Sequence, residues 1–222
     1  MKLDTQIYAR DWFFLLEGAG VTIALCLQAM IFGILIGLAV GLGRTAKSPL
    51  IALPASAYVT VIRGTPLLMQ LFIIYYCLPL FGLNMPKFLT AALGLSFYTG
   101  AYVGEIIKAG LQSVDIGQRE AARSLGLPPW YEFRYVVLPQ ALQVIIPPTF
   151  GFFIALIKDS SLVSIIGYIE LTRASKLVVA RTFTPFTLYL GAAVLYFLIC
   201  FGLSSFDTGY LRKRFRSSLS QA

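Results

Sequence analysis

GQREAARSLGLPPWYEFRYVVLPQ, residues 117–140, is the longest charged interval between the strongly apolar blocks of this chain. Glu120, Ala121, Ala122 and Leu125 favour helix, and Gly126 stands where a helix C-cap is expected. Pro128 and Pro129 are placed to open a second short helix, because proline is tolerated in a first turn. The stretch therefore reads as two short helices joined by an elbow, held outside a bilayer core. The first of them, over residues 117–125, would be on the order of 13 Å long at about 1.5 Å per residue. Such a helix can lie crosswise in a groove of a partner and move as a rigid body. Ala121 and Ala122 permit close approach, and Glu120 can accept hydrogen bonds or pair with a basic residue.

Outside this interval the chain is built for lipid. Of its 222 residues 58% are hydrophobic and only 13% charged, and its mean hydropathy is +0.78, well above an ordinary soluble domain. The net charge of +8 sits in loops between apolar runs, which suits topology setting and anionic headgroups. No basic polar face of the kind that binds nucleic acid is visible. The absence of histidine removes imidazole relays, imidazole metal sites and triads based on it. Cys26, Cys77 and Cys200 lie in apolar stretches, where packed free thiols are expected.

Reading in order, residues 1–18 mix charge with Tyr8, Trp12, Phe13 and Phe14, as in an amphipathic segment lying in the interface. A first span follows over residues 21–43. Its Gly33, Gly37 and Gly41 share one face, which is either a groove for a neighbouring helix or ordinary glycine tolerance in a membrane. The apolar run 50–80 is broken at Arg63, Gly64, Thr65 and Pro66, giving an interfacial or tilted helix and then a span over 66–79. Further spans are expected over 88–107, over 141–157 with a bend at Pro147 and Pro148, and over 186–206. The apolar piece 162–169 is too short to cross and reads as re-entrant, and 170–184 as a polar connection. The expectation is one all-α transmembrane domain over residues 1–222 with five transmembrane helices. Arg44, Lys47, Lys108, Arg119, Arg123, Arg134 and the arginines at 212–216 then share the cytoplasmic side, with the N-terminus outside and the C-terminus inside. Arg173, Lys176 and Arg181 stand against this assignment.

Glu120, Ala121 and Ala122, with Gly126 and the pair Leu138 and Pro139 at their offsets, resemble the EAA loop of ABC importer permease subunits. Val136 stands where that pattern usually carries isoleucine. RGTPLL at residues 63–68 and KDSSL at 158–162 are similar to patterns of the polar-amino-acid branch, and residues 63–82 look most like cystine-type permeases. The resemblance covers nearly the whole chain. It implies the type I importer permease fold in a bacterial inner membrane and a second permease copy or paralogue. Two cytoplasmic ATPases would carry ATP and magnesium, and an extracytoplasmic amino-acid-binding protein would deliver the substrate. The EAA residues would then couple this chain to the ATPases. This chain would be a transport subunit and not an enzyme, consistent with the lack of a glycine-rich phosphate loop ending in Lys-Ser or Lys-Thr.

The ionisable groups within apolar surroundings are the remaining candidates. Arg63 needs a partner in hydrocarbon, and Glu105 is the proposed one; the alternative is that Arg63 snorkels to headgroups. Lys158, Asp159, Ser160 and Ser161 are candidates for lining the substrate pathway. A helix starting near Leu162 and capped by one of them would favour an α-carboxylate beside Lys158, or the set is a structural cap. Glu170, with Arg173, meets substrate or binding protein, or forms an exposed loop pair. Two other classes fit the sequence less well. An ion-coupled secondary transporter would carry an internal repeat, which is not evident, and a hydrolase built on Ser160 and Lys158 would lack a histidine base.

Overall fold

In the computed structural model, which describes residues 6–206, the described chain is helical with no strand. The first helix, α1 (Ala9–Gly43), is continuous for 35 residues, about 52 Å at about 1.5 Å per residue. The separate interfacial segment expected before residue 19 is therefore the first turns of α1. Nothing in residues 9–20 breaks a helix, since neither proline nor a strong turn residue pair occurs there. Asp11 closes its start by accepting from Tyr8 N at 2.8 Å.

The break at Pro66 is deep. α2 (Pro49–Gly64) and the helical run Leu67–Phe81 are bent by 104°. Thr65 between them is extended at φ −119° and ψ 144°, as the residue before a proline prefers. That run consists of α3 (Leu67–Phe72), a π-helical turn Ile73–Cys77 and a 3₁₀ turn Leu78–Phe81. The carbonyls freed at the break are satisfied by the buried Gln70. Its Nε2 lies 2.7 Å from Ile62 O, 2.9 Å from Thr65 Oγ1 and 3.1 Å from Thr65 O. A non-helical backbone is tolerated at membrane depth only with such internal partners.

The central element is α4 (Lys87–Gln112), rich in buried small and polar residues such as Thr90, Gly94, Ser96, Thr99 and Gly100. It can be so because neighbouring helices, not lipid, cover it. On α1 a Cβ placed on Gly37 would lie 2.8 Å from Val103, and one on Gly41 would lie 2.8 Å from Ile107. Gly33 meets Thr99 in the same way. The glycine face of α1 is thus a groove filled by α4, and Gly104 returns the contact against Val40.

After α4 come α5 (Ile116–Ser124), α6 (Pro129–Tyr131), a π-helical stretch Glu132–Val137, α7 (Leu138–Asp159) and a 3₁₀ stretch Ser160–Ile166. From Pro129 to Ile166 these form one 38-residue helical rod. The second arm of the elbow is therefore the opening of a long helix, not a separate short one. The chain also continues through Pro147, Pro148 and the 158–161 stretch. α8 (Leu171–Thr182) replaces the polar connection expected there, and α9 (Pro185–Phe206) closes the described chain. The arginines at 212–216 lie outside the described residues.

By length and apolarity α1, the rod and α9 can each cross a bilayer, and the bent pair counts as at most one further crossing. α4, at 26 residues, is about 39 Å long. Two of the three basic residues that stood against the topology are engaged: Arg181 Nη2 is 2.5 Å from Asp11 Oδ2, and Lys176 Nζ donates to Ser164 Oγ at 2.9 Å.

Replacing Gly37 by leucine is expected to lower stability by about 1–3 kcal/mol through overpacking against Val103. Gly20→Ala should be neutral, because nothing lies within 4 Å of a Cβ there. Thermal unfolding of the purified protein in detergent, followed by circular dichroism, measures the difference.

Candidate functional site

The elbow is built by local rules. Asp115 caps α5, its Oδ1 accepting from Gly117 N at 2.7 Å. At the other end Gly126 takes φ +76°. Gly126 N donates to Arg123 O at 2.9 Å and Leu127 N to Ala122 O at 3.1 Å, the paired bonds of a Schellman cap. Ala122 is buried, whereas Glu120 and Ala121 are exposed. Leu138 is half-buried and Pro139 exposed at the start of α7. Two arginines fix the elbow to the bundle. Arg119 Nη2 donates to Leu111 O at 2.6 Å, tying α5 to the end of α4. Arg123 holds Glu132 with two bonds of 2.8 and 3.2 Å. That hydrogen bond with Arg123 holds the Glu132 carboxyl below the ordinary carboxylate range and raises the guanidinium further. Large apolar side chains face outward around this frame, with Leu125 at 82% and Trp130 at 66% exposure. A rigid short helix rimmed by exposed apolar groups can dock a partner.

Glu105 gathers two cations. Its Oε2 lies 2.6 Å from Arg63 Nη1 and 2.7 Å from Arg44 Nη1. Arg63 also lies 5.3 Å over the Tyr102 ring. Tyr102 stacks on Phe152 at 5.1 Å, and Tyr98 approaches Tyr102 at 4.7 Å. Tyr98 in turn neighbours Asp159. An aromatic ladder therefore runs from the Arg63 and Glu105 pair on α2 and α4 toward Asp159 at the end of α7.

The 158–161 stretch is not a helix start. Ser160 is in right-handed helical conformation and its Oγ donates back to Ile157 O at 2.7 Å. No side chain caps the 3₁₀ stretch that follows. The helix N-terminus expected to receive a carboxylate is absent, because the rod runs through it. Lys158 is exposed, Asp159 and Ser161 are half-buried, and Ser160 is fully buried. Glu170 is likewise no exposed loop residue. It is fully buried and caps α8, accepting from Thr172 N at 2.9 Å, Arg173 N at 2.7 Å and Tyr196 Oη at 2.8 Å. A carboxylate with three such donors is committed to structure.

Sequence reasoning missed three residues. Arg44 was read only as a topology signal, and its reach to Glu105 depends on α1 lying against α4. Glu132 lies nine positions beyond Arg123, on the far side of the turn that brings them together. Gln70 offered one signal, a buried amide shortly after a proline break.

Comparisons with known proteins bear on the family and the fold. The profile of the family described as binding-protein-dependent transport system inner membrane component matches residues 19–217. The chain is 42% identical over 194 residues to the L-cystine transport system permease protein TcyB of Bacillus subtilis (strain 168), covering 87% of this chain and 83% of that one. It is 36% identical over 203 residues to the putative glutamine transport system permease protein GlnP of Rickettsia conorii, covering 91% and 93%. Among solved structures, an amino acid ABC transporter described "with histidines" superposes with a TM-score of 0.89 at 38% identity, over 96% of this chain and all of that one. The MetNI methionine ABC transporter in an inward-facing conformation gives 0.78 at 20% identity, over 93% and 99%, a likeness of fold.

Removing Glu105 leaves two guanidinium groups facing each other, whereas removing Arg63 leaves Arg44 still paired. Glu105→Ala should therefore lower the unfolding temperature more than Arg63→Ala, a ranking that thermal melts of the two variants test directly. The Arg123–Glu132 lock has a defined pH window. With the folded-state value depressed, its contribution is complete above the unfolded value of about 4.3 and is lost as pH falls through the lower folded one. Trp130 fluorescence in a Trp12→Phe background should report that acid transition, and Glu132→Gln should abolish it.

Proposed function

The chain belongs to the family of binding-protein-dependent transport system inner membrane components, and from that premise we propose how this amino-acid ABC transporter permease subunit is driven and what it carries. The relatives described above are transport-system permeases by name and the solved neighbours are ABC transporters, which leaves the ion-coupled alternative without support. In this reading the chain crosses the inner membrane five times, counting α4 and the bent pair. The N-terminus lies outside and the elbow on the cytoplasmic side, with the basic residues at 44, 47, 119, 123 and 134.

The observation that carries the reading is mechanical. The capped helix α5 presents Glu120, Ala121 and exposed Leu125, and the Arg123–Glu132 bond joins it to the rod that carries Lys158 and Asp159 and ends at Ile166. A partner ATPase that grips α5 and moves on closing would push that rod along its axis. The rod carries the motion to the candidate pathway residues some 45 Å away, about thirty residues of helix at about 1.5 Å each. Two arrangements of the rod with different ATPase contacts suffice for alternating access. ATP and magnesium belong to the partner ATPases, a second permease copy or paralogue completes the pathway, and an extracytoplasmic binding protein supplies the substrate.

Lys158 and Asp159, opposite in charge and adjacent, suit the carboxylate and ammonium of a zwitterionic amino acid better than a ligand of net charge. The aromatic ladder beside Asp159 offers an apolar wall for its side chain. The substrate proposed is cystine or a similar polar zwitterion. Ser160 and Glu170, both buried, shape the neighbourhood without touching it.

Gly126→Asp forces a side chain into the left-handed region, at a cost of roughly 1–2 kcal/mol, and should unseat the cap. Gly126→Asp and Glu120→Lys are each expected to uncouple ATP hydrolysis from uptake while leaving membrane insertion intact, with Gly126→Asn milder. Proteoliposomes holding the permease, ATPase and binding protein measure both rates, and normal coupling in both strong variants refutes the docking role. In the same vesicles uptake of cystine should exceed that of arginine and of glutamate; preferential uptake of either charged amino acid overturns the substrate assignment.

A further inference from the structure

Between α1 and α7, with α4 as its floor, runs an open apolar trough of about 610 Å³. Ile34 and Leu38 form one wall, Leu142 and Ile146 the other, and Val103 and Ile107 the base. Along α1 it extends from Met30 to Leu42, about 18 Å at about 1.5 Å per residue. That is close to one leaflet of a hydrocarbon core about 30 Å thick.

The trough changes character at one end. Leu42, Leu111 and Phe133 are shared with a second cavity of about 390 Å³ that is lined also by Arg44, Thr45, Gln112 and Arg119, with no acidic residue. The Arg44 side chain is only 10% exposed, and its Nε has no hydrogen-bond partner among the described residues. A buried guanidinium N–H without a partner is costly. Glu105 compensates one charge, but it is shared between Arg44 and Arg63, so the cluster keeps a net positive charge. Arg119 spends one of its five donors on Leu111 O.

An apolar slot one leaflet long that ends in two arginines matches one class of molecule. We infer that this face holds an anionic phospholipid, one acyl chain in the trough and the phosphate between Arg44 and Arg119. Basic pockets between helices at the cytoplasmic surface attract such headgroups. The site lies where α5 is pinned to α4, so the bound lipid braces the root of the elbow. It is independent of which amino acid is carried.

The test uses the permease–ATPase complex extracted in detergent and exchanged against dioleoylphosphatidylglycerol or dioleoylphosphatidylcholine, with retained lipid counted by native mass spectrometry. Phosphatidylglycerol should be retained on the order of ten-fold better. Arg119→Gln should remove that preference, and Leu142→Trp should reduce retention of the lipid itself. Photo-crosslinking from benzoylphenylalanine at position 142 should label phosphatidylglycerol in intact membranes, whatever the folding of the other variants. Equal retention of the two lipids, retention unchanged in both variants, displacement by inorganic phosphate alone, or a crosslink from position 142 to a second permease copy would each overturn the assignment.

Discussion

The close contact of α1 and α4 is the constraint on which the rest depends. Gly33, Gly37 and Gly41 let Thr99, Val103 and Ile107 sit against the α1 backbone. In lipid no hydrophobic force drives two helices together, so association rests on close packing of this kind. The consequence reaches past packing. With α4 seated against α1, Glu105 falls beside Arg44, and α2 brings Arg63 to the same oxygen. The far end of α4 then offers Leu111 O to Arg119 and so fixes where the elbow leaves the bundle.

Among the described residues most buried polar side chains find a partner within the protein. Gln70 takes up the carbonyls opened at Thr65, and Glu170 takes the free amides at the start of α8. Thr22 binds Gly18 O and accepts from Leu171 N, which brings α8 onto α1. Each of these replaces water where none is at hand. They also separate structural from available charge. Glu170 is consumed by its three donors, whereas Lys158 is exposed and Asp159 half-buried at the end of the aromatic ladder.

The elbow combines a stiff head with an uninterrupted shaft. Its Schellman cap at Gly126 and the Arg123–Glu132 bond hold α5 at a fixed attitude to the rod that begins at Pro129. A flexible loop would absorb a partner's motion. In the proposed coupling this arrangement would pass it on, and the π-helical stretch Glu132–Val137 marks where the shaft departs from regular winding.

Much was legible in the sequence because it was local or compositional. Apolar runs announced membrane helices, the residue before Pro66 announced the break, and Gly126 announced the end of α5 through a backbone angle that only glycine takes freely. The spacing of Gly33, Gly37 and Gly41 left a groove for a neighbour and ordinary glycine tolerance equally open, and the seating of α4 decided it. Continuity is not legible: charge at 9–18 and at 158–161 reads as a boundary, yet helices run through both, since a charged residue does not interrupt backbone hydrogen bonding. What only the tertiary structure decided was which distant groups meet. Glu105 lies 61 positions from Arg44, and Leu171 lies 149 from Thr22. Helix propensity and hydropathy act on neighbours in the chain, whereas these pairings depend on how far one helix can sink into the face of another.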